Sequence, residues 1–439
     1  MLKIYSISLG CPKNRVDTEK TLGALGGRSR LKLVEDPAGA DLVFINTCAF
    51  IGPAVEESVR RTLETIHGLT ENSAQAKPLL VLAGCLVGRF GEKNLAPDLP
   101  EIDLLLDNKD LDSWGTRIAA ALVRRGLSGA SARRPARLLS TDPSYAWLKI
   151  ADGCDNSCAF CTIPAIRGPA SSAPVANLLR EARQILQRGT RELALVAQDL
   201  TAYGRDLGLK HGLKSLLEKL LPLPGLARLR LLYLYPSGLN EDLLNFLRAS
   251  GPPFVPYFDL PLQHAAPAVL QRMGRPFSSP PQAIVERIRS HFPDASLRST
   301  LITGFPGESP ADFALLRRFV EETRFAHLGV FAYEAEEGTK AATLREQIPQ
   351  TEKEARRDEL LGIQAGISAD LLAAYVGRRL EILVDASHGE WPGLHRGRTW
   401  FQAPEIDGIT YVSGPGVSPG ALLEAEIVEA ATYDLTALV

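Results

Sequence analysis

The six cysteines of this chain fall into two groups of three, one closely spaced and one wide. The tighter group is Cys154, Cys158 and Cys161, a C-x3-C-x2-C loop that follows an apolar run reading as a strand over 145–151. Such a loop closes three thiolates around one face of an iron–sulfur cluster. A four-iron cluster takes four ligands, commonly cysteine, so one iron stays open to an outside ligand. Structural zinc prefers four ligands in paired spacings, and no fourth Cys or His lies nearby. Disulfide scaffolds are short, secreted and dense in cysteine, whereas six cysteines in 439 residues is sparse.

The wider group is Cys11, Cys48 and Cys85. Each follows an apolar run, at 2–9, 41–46 and 78–83, and Gly10 and Gly84 beside them permit close backbone approach. Three thiols at three strand ends would converge on a second cluster if the strands lie parallel. The alternative is three buried cysteines acting as small hydrophobes.

The elements around these residues support the parallel arrangement. Up to residue 125, strands (the last at 102–106) alternate with helical segments at 16–25, 55–67 and 111–124. That alternation implies an α/β domain with an open, mainly parallel sheet, whose ligands bind beyond the carboxyl ends of its strands. Residues 126–140 are rich in Gly, Ser, Ala, Pro and Arg and read as a linker. Its arginines suit either solvent or a phosphate backbone. The alternation resumes over 141–369, with strands expected at 145–151, 192–197, 228–233, 257–260, 296–302 and 328–333. Six β/α units fit a partial (β/α)6 barrel, with a connecting helix at 351–375. Residues 370–439 turn to short strands at 380–384, 408–412 and 422–430, a small β-barrel module.

Polar residues mark the strand ends of the barrel: Gln198 and Asp199, Ser237, Gln263 and His264, then Thr303, with Phe331 inside the last strand. Together they suit a cofactor with ribose, purine and amino-acid parts. His264 is open to two readings, a catalytic base or a hydrogen-bonded wall residue.

The formal net charge is −2, so no global signal points to nucleic acid or membrane. The amino terminus lacks the pattern of a signal peptide, and no apolar run reaches the roughly 18–20 residues needed to span a bilayer. A cytoplasmic enzyme with reduced thiols is expected.

The Cys154-x3-Cys158-x2-Cys161 loop, with Phe160 before its last cysteine, resembles the radical S-adenosylmethionine (SAM) superfamily. With the three-cysteine domain ahead of it, the whole chain resembles the methylthiotransferase family within it. Three stretches resemble the branch that acts on a ribosomal protein: Ala197-Gln198-Asp199-Leu200-Thr201-Ala202-Tyr203-Gly204, Asp259-Leu260-Pro261-Leu262-Gln263-His264 and Ala403-Pro404-Glu405-Ile406-Asp407-Gly408. Ala335 and Trp400-Phe401-Gln402 depart from that branch's usual wording. The tail resembles a TRAM domain, an OB-like barrel of a kind that often binds RNA. From residue 370 onward, however, ten acids face four bases, which disfavours phosphate and suits a basic protein.

The resemblance implies two [4Fe–4S] clusters and SAM. Cys154, Cys158 and Cys161 would be the catalytic ligands, with SAM on the open iron and Phe160 near the adenine. Reductive cleavage of SAM would yield a radical that takes hydrogen from the β-carbon of an aspartate in the small-subunit ribosomal protein of the decoding centre, free or ribosome-bound. Cys11, Cys48 and Cys85 would hold the cluster that donates sulfur, and a second SAM would supply the methyl group. An electron donor such as flavodoxin or ferredoxin and a sulfur source are then required partners. Two alternatives stand beside this: methylthiolation of a tRNA adenosine, and a non-catalytic iron–sulfur carrier or scaffold.

Overall fold

A computed structural model describes residues 1–26, 31–71, 77–127, 137–275 and 279–439. Most of the expected linker therefore lies outside the described residues. The chain divides into two compact units. The first holds Met1–Ser140 with Gly153–Asn156 and Cys161–Pro169; the second holds the remainder.

In the first unit, β1 (Leu2–Ser8), β2 (Leu31–Leu33), β3 (Leu42–Thr47), β4 (Leu79–Gly84) and β5 (Leu104–Asp107) form one parallel sheet in the order β2-β1-β3-β4-β5. Strands β3 and β4 are buried along their whole length, as the near-continuous apolar runs of a two-sided parallel sheet require. Helices α1 (Pro12–Ala24), α2 (Gly52–Glu71), α3 (Cys85–Phe90), α4 (Glu92–Leu95) and α5 (Trp114–Arg124) connect them. One core, around Phe44, Val81, Trp114 and Leu122, fills one face, and a second, around Val43, Ile45, Leu82 and Val87, fills the other. This strand order reverses between β1 and β3, the switch point where such sheets bind ligands. Cys11 and Cys48 follow those two strands. Strand β2, three residues long, was not among the expected elements.

Helix α1 is unusual in burying polar residues. Asn14 Nδ2 donates to the Leu9 and Thr47 carbonyls at 2.8 and 2.9 Å, and Asn46 Nδ2 donates to the Asn14 carbonyl at 2.8 Å. These bonds fasten the loops after β1 and β3 to each other. At the end of the expected linker, Arg137 is not solvated: it is buried against Glu19, with Nε 2.6 Å from the carboxylate.

In the second unit, β6 (Tyr145–Lys149) is followed by a two-residue ladder, β7 (Ala151–Asp152) with β8 (Ser171–Ser172). Then come β9 (Glu192–Val196), β10 (Arg228–Leu231), β11 (Phe254–Gln263), β12 (Ser296–Thr303) and β13 (His327–Ala332). The six long strands run parallel in the order β13-β12-β11-β10-β9-β6. This is the expected (β/α)6 partial barrel, open between β13 and β6. Five strands, β14 (Arg379–Ser387), β15 (Leu394–Arg398), β16 (Thr410–Ser413), β17 (Leu422–Ala430) and β18 (Leu435–Leu438), close a separate barrel behind the long helix Gln350–Ala373. Two of these, β15 and β18, were not expected.

The closed barrel is fastened across the amino-terminal ends of the six strands. The Glu192 carboxylate at the start of β9 takes Arg230 Nε at 2.7 Å and Arg398 Nη1 at 2.8 Å. Arg398 also holds Asp385 at 2.7 and 2.9 Å. Arg228 donates to the Arg398 and Glu381 carbonyls, each at 2.9 Å. Asp407 accepts from Tyr257 at 2.7 Å and Arg298 at 2.8 Å. The acids of the tail thus divide: Asp385 and the side chain of Asp407 are buried braces, while Glu390, Glu424, Glu426 and Glu429 face solvent.

Candidate functional site

The first triad sits at the carboxyl edge of the first sheet. Cys11 caps the amino end of α1, Cys48 follows β3, and Cys85 begins α3. Gly10 has φ +83°, and a Cβ there would lie 2.6 Å from Cys48 Cβ and 2.8 Å from its sulfur. The three thiols influence one another. Burial pushes Cys48 up to about 12, with Cys85 and Cys11 adding to the rise. Burial likewise raises Cys85 against the opposing pull of Arg167. Cys11 alone ends below its ordinary value. Burial works against that, but Lys13, Arg167 and the backbone amides of Asn14 and Lys13 outweigh it. Metal binding requires thiolates and releases their protons, so the raised thiols of Cys48 and Cys85 would give up theirs to a bound metal.

Two buried donors reach the Cys85 sulfur: Asn108 Nδ2 at 3.3 Å and Arg167 Nη2 at 3.6 Å. Among the described residues no three His, Cys, Asp or Glu side chains close around a single metal ion. A group that takes one thiolate from each of three loops at the carboxyl edge of the sheet fits the placement of Cys11, Cys48 and Cys85.

The second triad lies on the loop that leaves the first barrel strand at its carboxyl end. The β7–β8 ladder clamps the base of this loop, pairing Ala151 with Ser172 and Asp152 with Ser171. Gly153 has φ +69°, and a Cβ there would meet the Pro169 carbonyl at 2.0 Å, so only glycine fits. The Cys154 amide donates to the Gly168 carbonyl at 3.2 Å. Each sulfur accepts a hydrogen bond. Cys154 takes one from the Asn156 amide at 3.4 Å, Cys161 from the Ile163 amide at 3.5 Å, and Cys158 from Arg275 Nη1 at 3.5 Å. Arg275 is buried and stacks over Tyr235 at 4.2 Å. Donors to cluster sulfurs tune the potential and fix geometry.

The polar strand ends differ in how free their atoms are. Phe160 packs edge-on against Phe305, with ring centres 6.5 Å apart. Gln198 donates to Asp152 at 3.0 Å, while its buried Oε1 has no partner among the described residues. That lone acceptor fits a hydroxyl-bearing ligand. Asp199 instead turns inward on its own loop, accepting from Thr201 N at 2.9 Å and Thr201 Oγ1 at 2.7 Å. Gln263, buried at the end of β11, has φ +71°. The Thr303 hydroxyl is engaged by the Lys353 carbonyl at 3.1 Å. Ser237 is exposed, and Phe331 on edge strand β13 is 53% exposed.

His264 is fully buried. Its Nδ1 accepts from the Ala266 amide at 2.9 Å, which leaves the proton on Nε2, 3.4 Å from Glu308. Glu308 also accepts from the Gly304 and Phe305 amides at 2.8 and 3.3 Å and from Arg356 at 2.5 Å. The pair shapes the turn after β12, which favours the wall role over the base. Sequence reasoning did not single out Arg167, Arg275 or Asn108. The only available signal was proximity to cysteine for Arg167; Asn108 and Arg275 are far from their sulfurs in sequence.

Residues 148–320 match the radical SAM superfamily, 376–439 the TRAM domain, and 3–107 a family described as Uncharacterized protein family UPF0004. The chain is 61% identical over its full length, and that of the relative, to "Ribosomal protein uS12 methylthiotransferase RimO" of Nitratidesulfovibrio vulgaris (strain DP4). It is 52% identical to the protein of that name from Lawsonia intracellularis, covering 100% of this chain and 98% of the relative. For that of Aquifex aeolicus the identity is 40%, covering 99% and 96%. Among solved structures, the radical SAM methyltransferase TsrM from Kitasatospora setae shares the fold with a TM-score of 0.54, at 13% identity, over 90% of this chain and 80% of that one.

Proposed function

The chain belongs to the RimO family of ribosomal protein uS12 methylthiotransferases, and from that membership we propose how its residues divide the reaction. It is a radical SAM enzyme that transfers a methylthio group to uS12. Cys154, Cys158 and Cys161 hold one [4Fe–4S] cluster and leave an iron for SAM; Cys11, Cys48 and Cys85 hold a second. When bound, the first supplies with SAM the radical that removes hydrogen, and the second supplies the sulfur.

The protein's own part is positioning. The hydrogen bonds to Cys154, Cys158 and Cys161 set the sulfurs of the radical loop. Phe160 gives the adenine a wall stiffened by Phe305. Gln198 Oε1 offers an acceptor to a ribose hydroxyl, and Glu308 with His264 holds the turn after β12 that lines the same edge. The modified atom is the β-carbon of an aspartate of uS12. A flavodoxin- or ferredoxin-like donor delivers the electrons, and a separate source delivers the sulfur. The enzyme works in the cytoplasm, and no helix among the described residues is long and apolar enough to cross a membrane.

The observation that carries this reading is the presence of two cysteine triads, each at carboxyl-terminal strand ends, in a chain that aligns end to end with its relatives. Anaerobic incubation with SAM, sulfide, reductant and uS12 tests it. Formation of 5′-deoxyadenosine together with a methylthio mass gain on one uS12 aspartate is expected. Modification of tRNA with uS12 left unchanged would refute the substrate.

A further inference from the structure

Arg167 is buried in the first unit, one helical turn beyond the radical loop. It closes α6 (Ile163–Arg167), which begins two residues after Cys161. Ile166 of this helix joins the sheet's core, and its carbonyl would lie 2.8 Å from a Cβ on Gly88, so the helix is wedged against α3 with no slack. The guanidinium spreads its donors over three partners: Asp17 Oδ2 at 3.3 Å, Asn14 Oδ1, and the Cys85 sulfur at 3.6 Å. Asn14 also bridges the loops carrying Cys11 and Cys48.

We propose that Arg167 is the positioning residue of the N-terminal cluster: its guanidinium fixes the Cys85 sulfur and offsets the negative charge of the bound thiolates, which keeps that cluster reducible. The inference rests on the two-cluster reading given above. Three thiolates bring three negative charges into a site with little water. A fixed cation and an N–H···S bond both favour the reduced, more negative state, because charge and sulfur hydrogen bonds set cluster potentials. The planar fork of arginine serves carboxylate, amide and sulfur at once, which the point charge of lysine does not. Asp17 partly cancels the guanidinium, so its removal acts in the opposite sense. Arg167 also lies six residues from Cys161, so the chain leaving one triad ends on a ligand of the other.

The test uses the full chain with Cys154, Cys158 and Cys161 changed to alanine, reconstituted anaerobically, so that only the N-terminal cluster is read. Iron and sulfide are counted, and the midpoint potential is followed by electron paramagnetic resonance. Arg167→Gln is expected to lower the midpoint by at least a tenfold change in the one-electron equilibrium, about 59 mV. Arg167→Lys restores part of that shift, and Asp17→Asn moves the midpoint upward. An unchanged midpoint in Arg167→Gln at full iron content overturns the proposal, as does a downward shift in Asp17→Asn. If Arg167→Gln fails to hold iron, the lysine and Asp17 variants still decide. A background that binds no iron and sulfide before Arg167 is touched overturns the two-cluster reading itself.

Discussion

Replacing Glu192 by glutamine should loosen the closed barrel from the radical SAM barrel without touching either cysteine triad. The Glu192 carboxylate is fully buried between Arg230 and Arg398, 2.7 and 2.8 Å away. Burial alone would raise its pKa, but Arg230, Arg398 and Arg228 outweigh that and hold it at about 2, against an ordinary 4.5. At about 1.36 kcal/mol per pH unit, that difference is worth about 3 kcal/mol. Removing one member of a buried ion pair costs about 3–5 kcal/mol by an independent measure. For a unit of this size, about 3 kcal/mol corresponds to a fall of about 6–12 °C in the unfolding midpoint. The folded-state pKa is depressed, so the contribution is complete above pH 4.5 and disappears as pH falls towards 2. Thermal unfolding of wild type and Glu192→Gln, followed by circular dichroism from pH 7 downward, should show a gap that closes over that window. A gap at pH 7 below about 2 °C, under about 1 kcal/mol, would show that the buried carboxylate does not hold the two barrels together.

Three further perturbations follow from the same geometry. Gly10→Ala forces a Cβ to 2.6 Å from Cys48 at φ +83°; it should cost about 1–3 kcal/mol and lower bound iron by about half, counted after reconstitution. Glu308→Ala removes the anchor of the Gly304 and Phe305 amides and takes one of two carboxylates from Arg356, which keeps Glu352. Its KM for SAM should rise at least tenfold while iron content holds, measured by 5′-deoxyadenosine release. Reversing the exposed Glu424, Glu426 and Glu429 on β17 to lysine should weaken uS12 binding by at least about fivefold, given roughly 0.2–1 kcal/mol per exposed pair. Added salt should weaken wild-type binding too. Calorimetry showing equal affinity would remove the acidic face from substrate recognition.

The parts legible in the sequence were those whose signal is local. The C-x3-C-x2-C loop is readable as a candidate cluster site because its three cysteines lie within eight residues. The strand-end positions of Cys11, Cys48 and Cys85 were readable because β3 and β4 are buried, mainly apolar runs and β1 is rich in β-branched and aromatic residues. Strand β2 was missed because three residues carry no periodicity. Strand β15 was missed because its two buried positions are Gly397 and Arg398 rather than apolar side chains. Gly397 lies where a Cβ would meet the Leu383 carbonyl at 2.7 Å, and Arg398 is buried by its ion pairs. The ten acids of the tail are indistinguishable in the sequence. Asp385 and Asp407 are spent on Arg398, Arg298 and Tyr257, so the outward acidity is smaller than the sequence suggests. Arg275 and Asn108 could not be found at all, since each meets its cysteine only through folding, 117 and 23 residues away.

The division of labour between the triads is tested most directly by one comparison. The variant with Cys11, Cys48 and Cys85 changed to alanine is reconstituted and given SAM, reductant and uS12, and 5′-deoxyadenosine and product masses are measured in the same vessel. 5′-Deoxyadenosine is expected still to form while no sulfur reaches uS12. A methylthiolated uS12 from this variant would contradict that division.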